Sequence, residues 1–322
     1  MKINRLLLIL IFPFFLTGCL NYTELNDVGI INTLGIDKND KNYIIDINML
    51  TPTTTNLEEN KTYQVEAPSL NEAFDKLYLL TSKDINLSHL ELLILSKNIK
   101  KEDYDNITNF FWNREDSRNN FNTIILENYK KDNVFKFDSK DINSLIETNH
   151  KEDGIISPVT FDILTEDILN IKISYIPTIK IEDNIEILGY RSIYKEDKLL
   201  SLRESISYNF LTNKITKCNL VDENLNIKID KSTTSLEIHK NKIKIKINST
   251  LTNYGKSKNP VKDYNSILKS YIQEYLDNND LEYFKDIIKK HDYNYYKNNK
   301  DMNIEFTITI DGKLNKEAKT NE

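Results

Sequence analysis

Apolar and polar positions change their period several times along this chain, and each change predicts an element. Asp27 to Asp37 and Tyr43 to Leu50 are rich in Ile and are separated by the polar stretch Lys38-Asn39-Asp40-Lys41, the pattern of two strands joined as a hairpin. From Ser69 the period lengthens. Ser69-Leu70-Asn71-Glu72 reads as a capping box, and Leu70, Ala73, Phe74, Leu77 and Leu80 recur at helical spacing. His89 to Ser96 is an apolar run of strand length, Glu102 to Trp112 reads as a helix, and Phe121 to Glu127 reads as another strand. Ser157-Pro158 predicts a helix to about Leu169, with Ser as N-cap and Pro at the first helical position.

The second half alternates more strictly. Ile185 to Tyr194 and Lys198 to Leu200 predict a hairpin turning at Lys195-Glu196-Asp197, and Ser201-Leu202-Arg203-Glu204 is a second capping box opening a helix to about Leu211. Strands follow at Ile215 to Val221, Leu225 to Asp230, Thr233 to His239 and Lys242 to Thr250. In the last of these Ile alternates with Lys, so one face is buried and the other wet. Asn259-Pro260 starts a helical region reaching about His291, with Ile267, Leu268, Tyr271, Ile272, Tyr275 and Leu276 on one face, and Asn303 to Ile310 closes as a strand.

This order predicts an α+β protein. With about 300 residues outside the N-terminal leader, more than one core is expected. A seam near Lys180 to Asn184 divides the chain into two mixed α+β domains, residues 19–182 and 183–318, the second with a largely antiparallel sheet and a long C-terminal helix.

Residues 1–18 read differently. Lys2 and Arg5 precede an apolar run from Leu6 to Phe15, the layout of a secretory signal. The run is too short to span a bilayer, which takes roughly 20 apolar residues. It ends in Leu16-Thr17-Gly18-Cys19, a lipobox. Leu16 fills an apolar subsite of the processing peptidase, and the small Thr17 and Gly18 let it reach the backbone. Cys19 supplies the thiol that takes a diacylglyceryl group in thioether linkage and then becomes the N-acylated (palmitoylated) first residue. Two acyl chains hold where one would exchange, at about 0.8 kcal/mol per buried CH₂.

Composition narrows the function classes. Charged residues make up 29% of the chain, the mean hydropathy is −0.51 and the formal charge is −6, to which the leader contributes Lys2 and Arg5. An acidic mature chain argues against nucleic-acid partners, which need basic patches. Lys242 to Lys246 accordingly reads as a solvated sheet face. Acylation of Cys19 leaves Cys218 alone, a buried apolar residue rather than half of a disulfide. The seven glycines form no phosphate-cradling loop, no G-x-S-x-G elbow exists, and His89, His150, His239 and His291 lie far apart with no metal-ligand spacing. No catalytic residue, cofactor or metal is expected. Phe110, Phe111 and Trp112 read as core aromatics, with an exposed binding patch as the alternative.

The stretch Cys19-Leu20-Asn21-Tyr22-Thr23-Glu24-Leu25-Asn26-Asp27, with Ile30 and Leu34-Gly35-Ile36-Asp37, resembles the start of the Ger(x)C family of spore germination lipoproteins. Further segments follow in that family's order: Ser88-His89-Leu90, Phe110-Phe111-Trp112-Asn113-Arg114, Ser157-Pro158-Val159-Thr160 and Gly189-Tyr190-Arg191-Ser192. Leu20 and Asn21 depart from its aromatic-acid start, and the region Asn279 to Asn299 is shorter than its usual last helical stretch. The resemblance implies the C subunit of a nutrient germinant receptor, held by Cys19 on the outer face of the spore's inner membrane beside membrane-embedded A and B subunits. It marks Glu24, Leu25, Asn26, Asp27, Gly35, Asp37, His89 and Gly189 as motif residues of structure or interaction. A solute-binding lipoprotein with a cleft between its two parts is the alternative.

Overall fold

A computed structural model describes residues 27–51, 59–171, 175–193, 197–222, 225–279 and 281–315. Its larger sheet has nine strands: β1 (Val28–Lys38), β2 (Tyr43–Thr51), β3 (Glu59–Ala67), β4 (Asp84–Asn86), β5 (Leu92–Ser96), β6 (Asn122–Leu126), β7 (Tyr175–Ile181), β8 (Ile185–Ser192) and β9 (Lys198–Leu199). Their order is β3-β2-β1-β5-β6-β7-β8-β9, with β4 beside the start of β1. The centre, β1, β5, β6 and β7, is parallel, and the flanks are antiparallel hairpins. A parallel centre needs cover on both faces, which is why every residue of β5 is buried and its sequence, Leu-Leu-Ile-Leu-Ser, shows no alternation.

The cover comes from the crossovers. On one face lie α1 (Leu70–Thr81) and α2 (Lys101–Trp112), packed together through Phe74 and Phe110 with ring centroids 4.8 Å apart. On the other lies α3 (Lys131–Val134), whose Val134 sits over Gly35. α4 (Ser139–Glu152) follows, and α5 (Phe161–Ile171) packs on α2 and the start of β6 through Phe111, Phe121 and Phe161 with centroids 4.9–5.1 Å apart.

A smaller sheet runs β10 (Cys218–Asp222), β11 (Leu225–His239), β12 (Lys242–Asn253), β13 (Glu305–Leu314). Its first three strands are antiparallel, and β13 joins β12 in parallel after a crossover through α7 (Pro260–Asn278), α8 (Glu282–His291) and α9 (Tyr293–Asn298). In β12 Ile243, Ile245 and Ile247 are buried and Lys242 and Lys244 exposed, the predicted one-sided strand. Tyr264 of α7 reaches the sheet by donating to Ser249 Oγ at 2.7 Å.

Between the sheets sits α6 (Leu202–Leu211), capped as predicted: Ser201 Oγ accepts from the Glu204 N–H and the Glu204 carboxylate from the Ser201 N–H. Tyr175, Tyr190, Tyr208 and Tyr275 fill the space around it in successive ring contacts, and the hydroxyls of Tyr175 and Tyr275 lie 3.3 Å apart. The segment Lys180 to Asn184 is the turn of the β7–β8 hairpin, so strands on both sides of it belong to one sheet.

Several elements differ from the sequence reading. Ser157 is no N-cap: α5 begins at Phe161, because Ser157 is held elsewhere, as described below. The apolar run at His89 becomes a strand only from Leu92, and His89 stands exposed in a turn. Leu80 leaves the buried face of α1, whose buried side chains end at Leu77. Leu225 to His239 is one strand with an irregularity between Ile229 and Lys231, not two strands. The helical region to His291 breaks after Asn278, and Trp112, unlike Phe110 and Phe111, is exposed.

Candidate functional site

Residues 1–26 lie outside the described residues, and with them Leu16, Thr17, Gly18, Cys19, Glu24, Leu25 and Asn26. Asp27 is exposed immediately before β1. Gly35 is buried mid-strand, paired with Asp46 across the ladder. A Cβ at Gly35 would stand 2.4 Å from Tyr129 Oη. The missing side chain thus opens the path along which the Tyr129 hydroxyl donates to Asp46 Oδ2 at 2.9 Å, while Gln64 Nε2 donates to Oδ1 at 2.8 Å. Burial raises the Asp46 carboxyl above its usual range despite both donors, and it raises the Tyr129 phenol further. Asp37, two residues on, accepts from the Lys38 N–H at 2.8 Å and from Asn98 Nδ2 at 3.0 Å, tying the end of β1 to the turn after β5.

Gly189 has a φ of +122°, and a Cβ there would lie 2.6 Å from Ser205 Oγ and 2.7 Å from the Leu200 carbonyl. It occupies the β7–β8 irregularity, where Thr178 pairs with Gly189 and Ile179 with Ile187. That close approach lets Ser205 Oγ accept from the Tyr190 N–H at 3.1 Å and aims Tyr190 inward. The Tyr190 hydroxyl accepts from the Ser157 N–H at 2.7 Å, pairs with Ser157 Oγ at 2.7 Å and donates to Asn209 Oδ1 at 2.9 Å. Asn209 Nδ2 completes the network on the carbonyls of Gly154 and Ile155. Two motif segments distant in sequence, Ser157-Pro158 and Gly189-Tyr190-Arg191, meet here. Burial pushes the Tyr190 phenol up to about 12, so it stays a neutral donor.

Arg191 points from the other face of β8 toward a cleft of about 910 Å³ at the carboxyl ends of β1, β5 and β6 beside the start of α2. Ligands in open α/β sheets collect at such strand ends. Arg191 bridges Glu127 and, at 2.6 Å, Asp197. Burial works to raise the Glu127 carboxyl, but Lys97 at 2.8 Å and Arg191 outweigh it and hold the group below the usual carboxylate range. Opposite, the buried Asp103 accepts from Lys38, from Tyr43 Oη at 2.9 Å and from the Lys100 N–H at 3.0 Å. Sequence reading passed over Asp103, Asp46 and Tyr129. Apart from the Lys100 N–H that Asp103 accepts, a cap at the start of α2, the partners of these residues stand 18 to 83 residues away, beyond any local pattern.

These carboxylates are spent on ion pairs and hydrogen bonds within the fold, which gives the cleft a rigid, mixed-charge lining. Among the described residues no group of His, Cys, Asp or Glu is placed to hold a metal, and no helix is long and apolar enough to cross a membrane. Cys218 is buried, and its thiol is pushed up to about 12 by that burial.

Residues 21–181 match the family defined by the spore germination protein N-terminal domain. The chain is 26% identical over 107 residues to spore germination protein KC of Bacillus subtilis (strain 168), a match covering 30% of this chain and spanning about a quarter (26%) of that relative. The crystal structure of the GerBC protein shares the fold, with a TM-score of 0.54 at 18% identity over 87% of this chain and 96% of that one.

Proposed function

Because the chain belongs to the Ger(x)C family of spore germination proteins, we propose that it is the lipid-anchored, non-catalytic subunit of a nutrient germinant receptor. In this reading Cys19 carries the thioether lipid on the outer face of the spore's inner membrane, and the folded body contacts membrane-embedded A and B subunits. The observation that carries it is one of position: the family match begins at residue 21, two residues beyond the lipobox cysteine. A tether so placed confines the body to a thin layer over the bilayer, where a high effective concentration lets weak contacts with neighbouring subunits suffice.

The test is Cys19→Ala in the full-length protein. It should move the protein from the membrane fraction to the wash and impair germination on nutrients. Full membrane retention with normal germination would refute the reading. The cleft beside Arg191 supports the solute-binding alternative, whereas the space between the two sheets is filled by tyrosines. Micromolar heat of binding to the purified protein alone, with free amino acids as titrants, would favour it.

A further inference from the structure

The last turn of α1 carries three large apolar side chains in water: Tyr78, Leu79 and Leu80 are 50, 77 and 59% exposed. Leu79 lies opposite the buried stripe, so packing within this body does not use it. Trp112, the chain's one tryptophan, is 62% exposed at the end of α2. The two helices lie side by side through Phe74 and Phe110, and the guanidinium of Arg114, just past Trp112, stacks over both rings at 4.9 and 5.5 Å. Both therefore end at the same edge of the body. Exposed apolar groups gathered at one edge mark a contact surface.

That edge is the one where the described chain begins. The residues after α1 form β4, whose Asp84 pairs with Val28, the first residue of β1. Tyr78 and Val28 line a common groove with Arg114. Only eight residues lie between Cys19 and Val28, so the two are at most about 30 Å apart along extended chain. We propose that the Tyr78, Leu79, Leu80 and Trp112 edge is a bilayer-docking surface, seated in the headgroup and upper acyl region when Cys19 is lipidated. Tyr and Trp are the side chains that settle at this boundary, and a diacyl anchor at this distance supplies the bilayer at high local concentration. The exposed residues flanking these helix ends in sequence include the acids Asp84 and Glu115 as well as Arg118, which favours apolar insertion over attraction to anionic lipid.

The proposal rests on lipidation of Cys19, and the experiment separates the two. Full-length protein is reconstituted in zwitterionic phosphatidylcholine vesicles with brominated acyl chains, its N-terminal lipid is checked by mass, and Trp112 fluorescence is read. The expected result is blue-shifted emission with most of the intensity lost to bromine, and recovery of the intensity in a Leu79→Ser, Leu80→Ser variant. That variant should fold normally, because both side chains are exposed. Lipidated, vesicle-bound protein with unquenched Trp112 overturns the docking surface and leaves the anchor standing. So does shielding of Trp112 that occurs only in native membranes, which assigns the edge to a protein partner. Protein lacking the lipid removes both readings.

Discussion

At the residue scale the chain concentrates its demands where a motif glycine meets a distant partner. Gly189 combines a left-handed φ with contacts of 2.6 and 2.7 Å at its missing Cβ, one of them to backbone. Gly189→Ala should therefore cost about 2 kcal/mol or more of unfolding free energy, read by chemical denaturation. Tyr190→Phe keeps the ring but strips Ser157 and Asn209 of their shared partner, for a loss of about 1–3 kcal/mol. The motif segments holding Ser157, Gly189 and Tyr190 were each visible in the sequence. Their meeting was not, because 33 residues and an intervening helix separate Ser157 from Tyr190. Ser157 before Pro158 looks locally like a helix start, and the Tyr190 hydroxyl, a tertiary partner, takes its N–H and side chain instead.

At the element scale local chemistry predicted well wherever it acts alone. The box at Ser201 and Glu204 forms as read, and Ser201→Ala should cost about 1 kcal/mol by the same measurement. The hairpin of β1 and β2 and the one-sided β12 followed from period and turn residues. Several elements did not declare themselves, β3, β7 and α4 among them. β3, an edge strand, is mostly polar, with Val65 and Ala67 buried. β7 carries Pro177, a residue that argues against a strand. α4 buries Ser139 and Asn149 beside Ile142 and Ile146, so its apolar stripe is broken by polar groups that find partners only in the folded protein. Asn149 Oδ1, for one, accepts from the Ile156 N–H at 3.1 Å.

At the scale of the whole molecule, stability is tied to carboxylates at the junctions. Glu127, Asp116 and Glu204 are each pushed up by burial, but stronger hydrogen bonds and ion pairs hold all three below their unfolded values of 4.5, 3.8 and 4.5. A group with a depressed folded pKa gives its full contribution above the unfolded value and loses it as pH falls through the folded one. Through these three groups the melting temperature should fall progressively below about pH 4.5, with Glu127→Gln removing part of that decline. Length and pattern pointed to two α+β parts, and the two sheets are there. What the pattern could not show is that the larger sheet continues through Lys180 to Asn184 as a hairpin, since strand pairing is settled by ladder partners and not by composition.

The parallel seat of β13 on β12 has a consequence for biogenesis. The smaller sheet reserves one rim for a segment synthesised some fifty residues after its neighbour, so a nascent chain that has emerged only as far as α9 offers β12 as an unfilled template. During that interval the alternating lysines of β12 serve as gatekeepers, discouraging a second chain from zipping onto the vacancy before the rightful strand arrives.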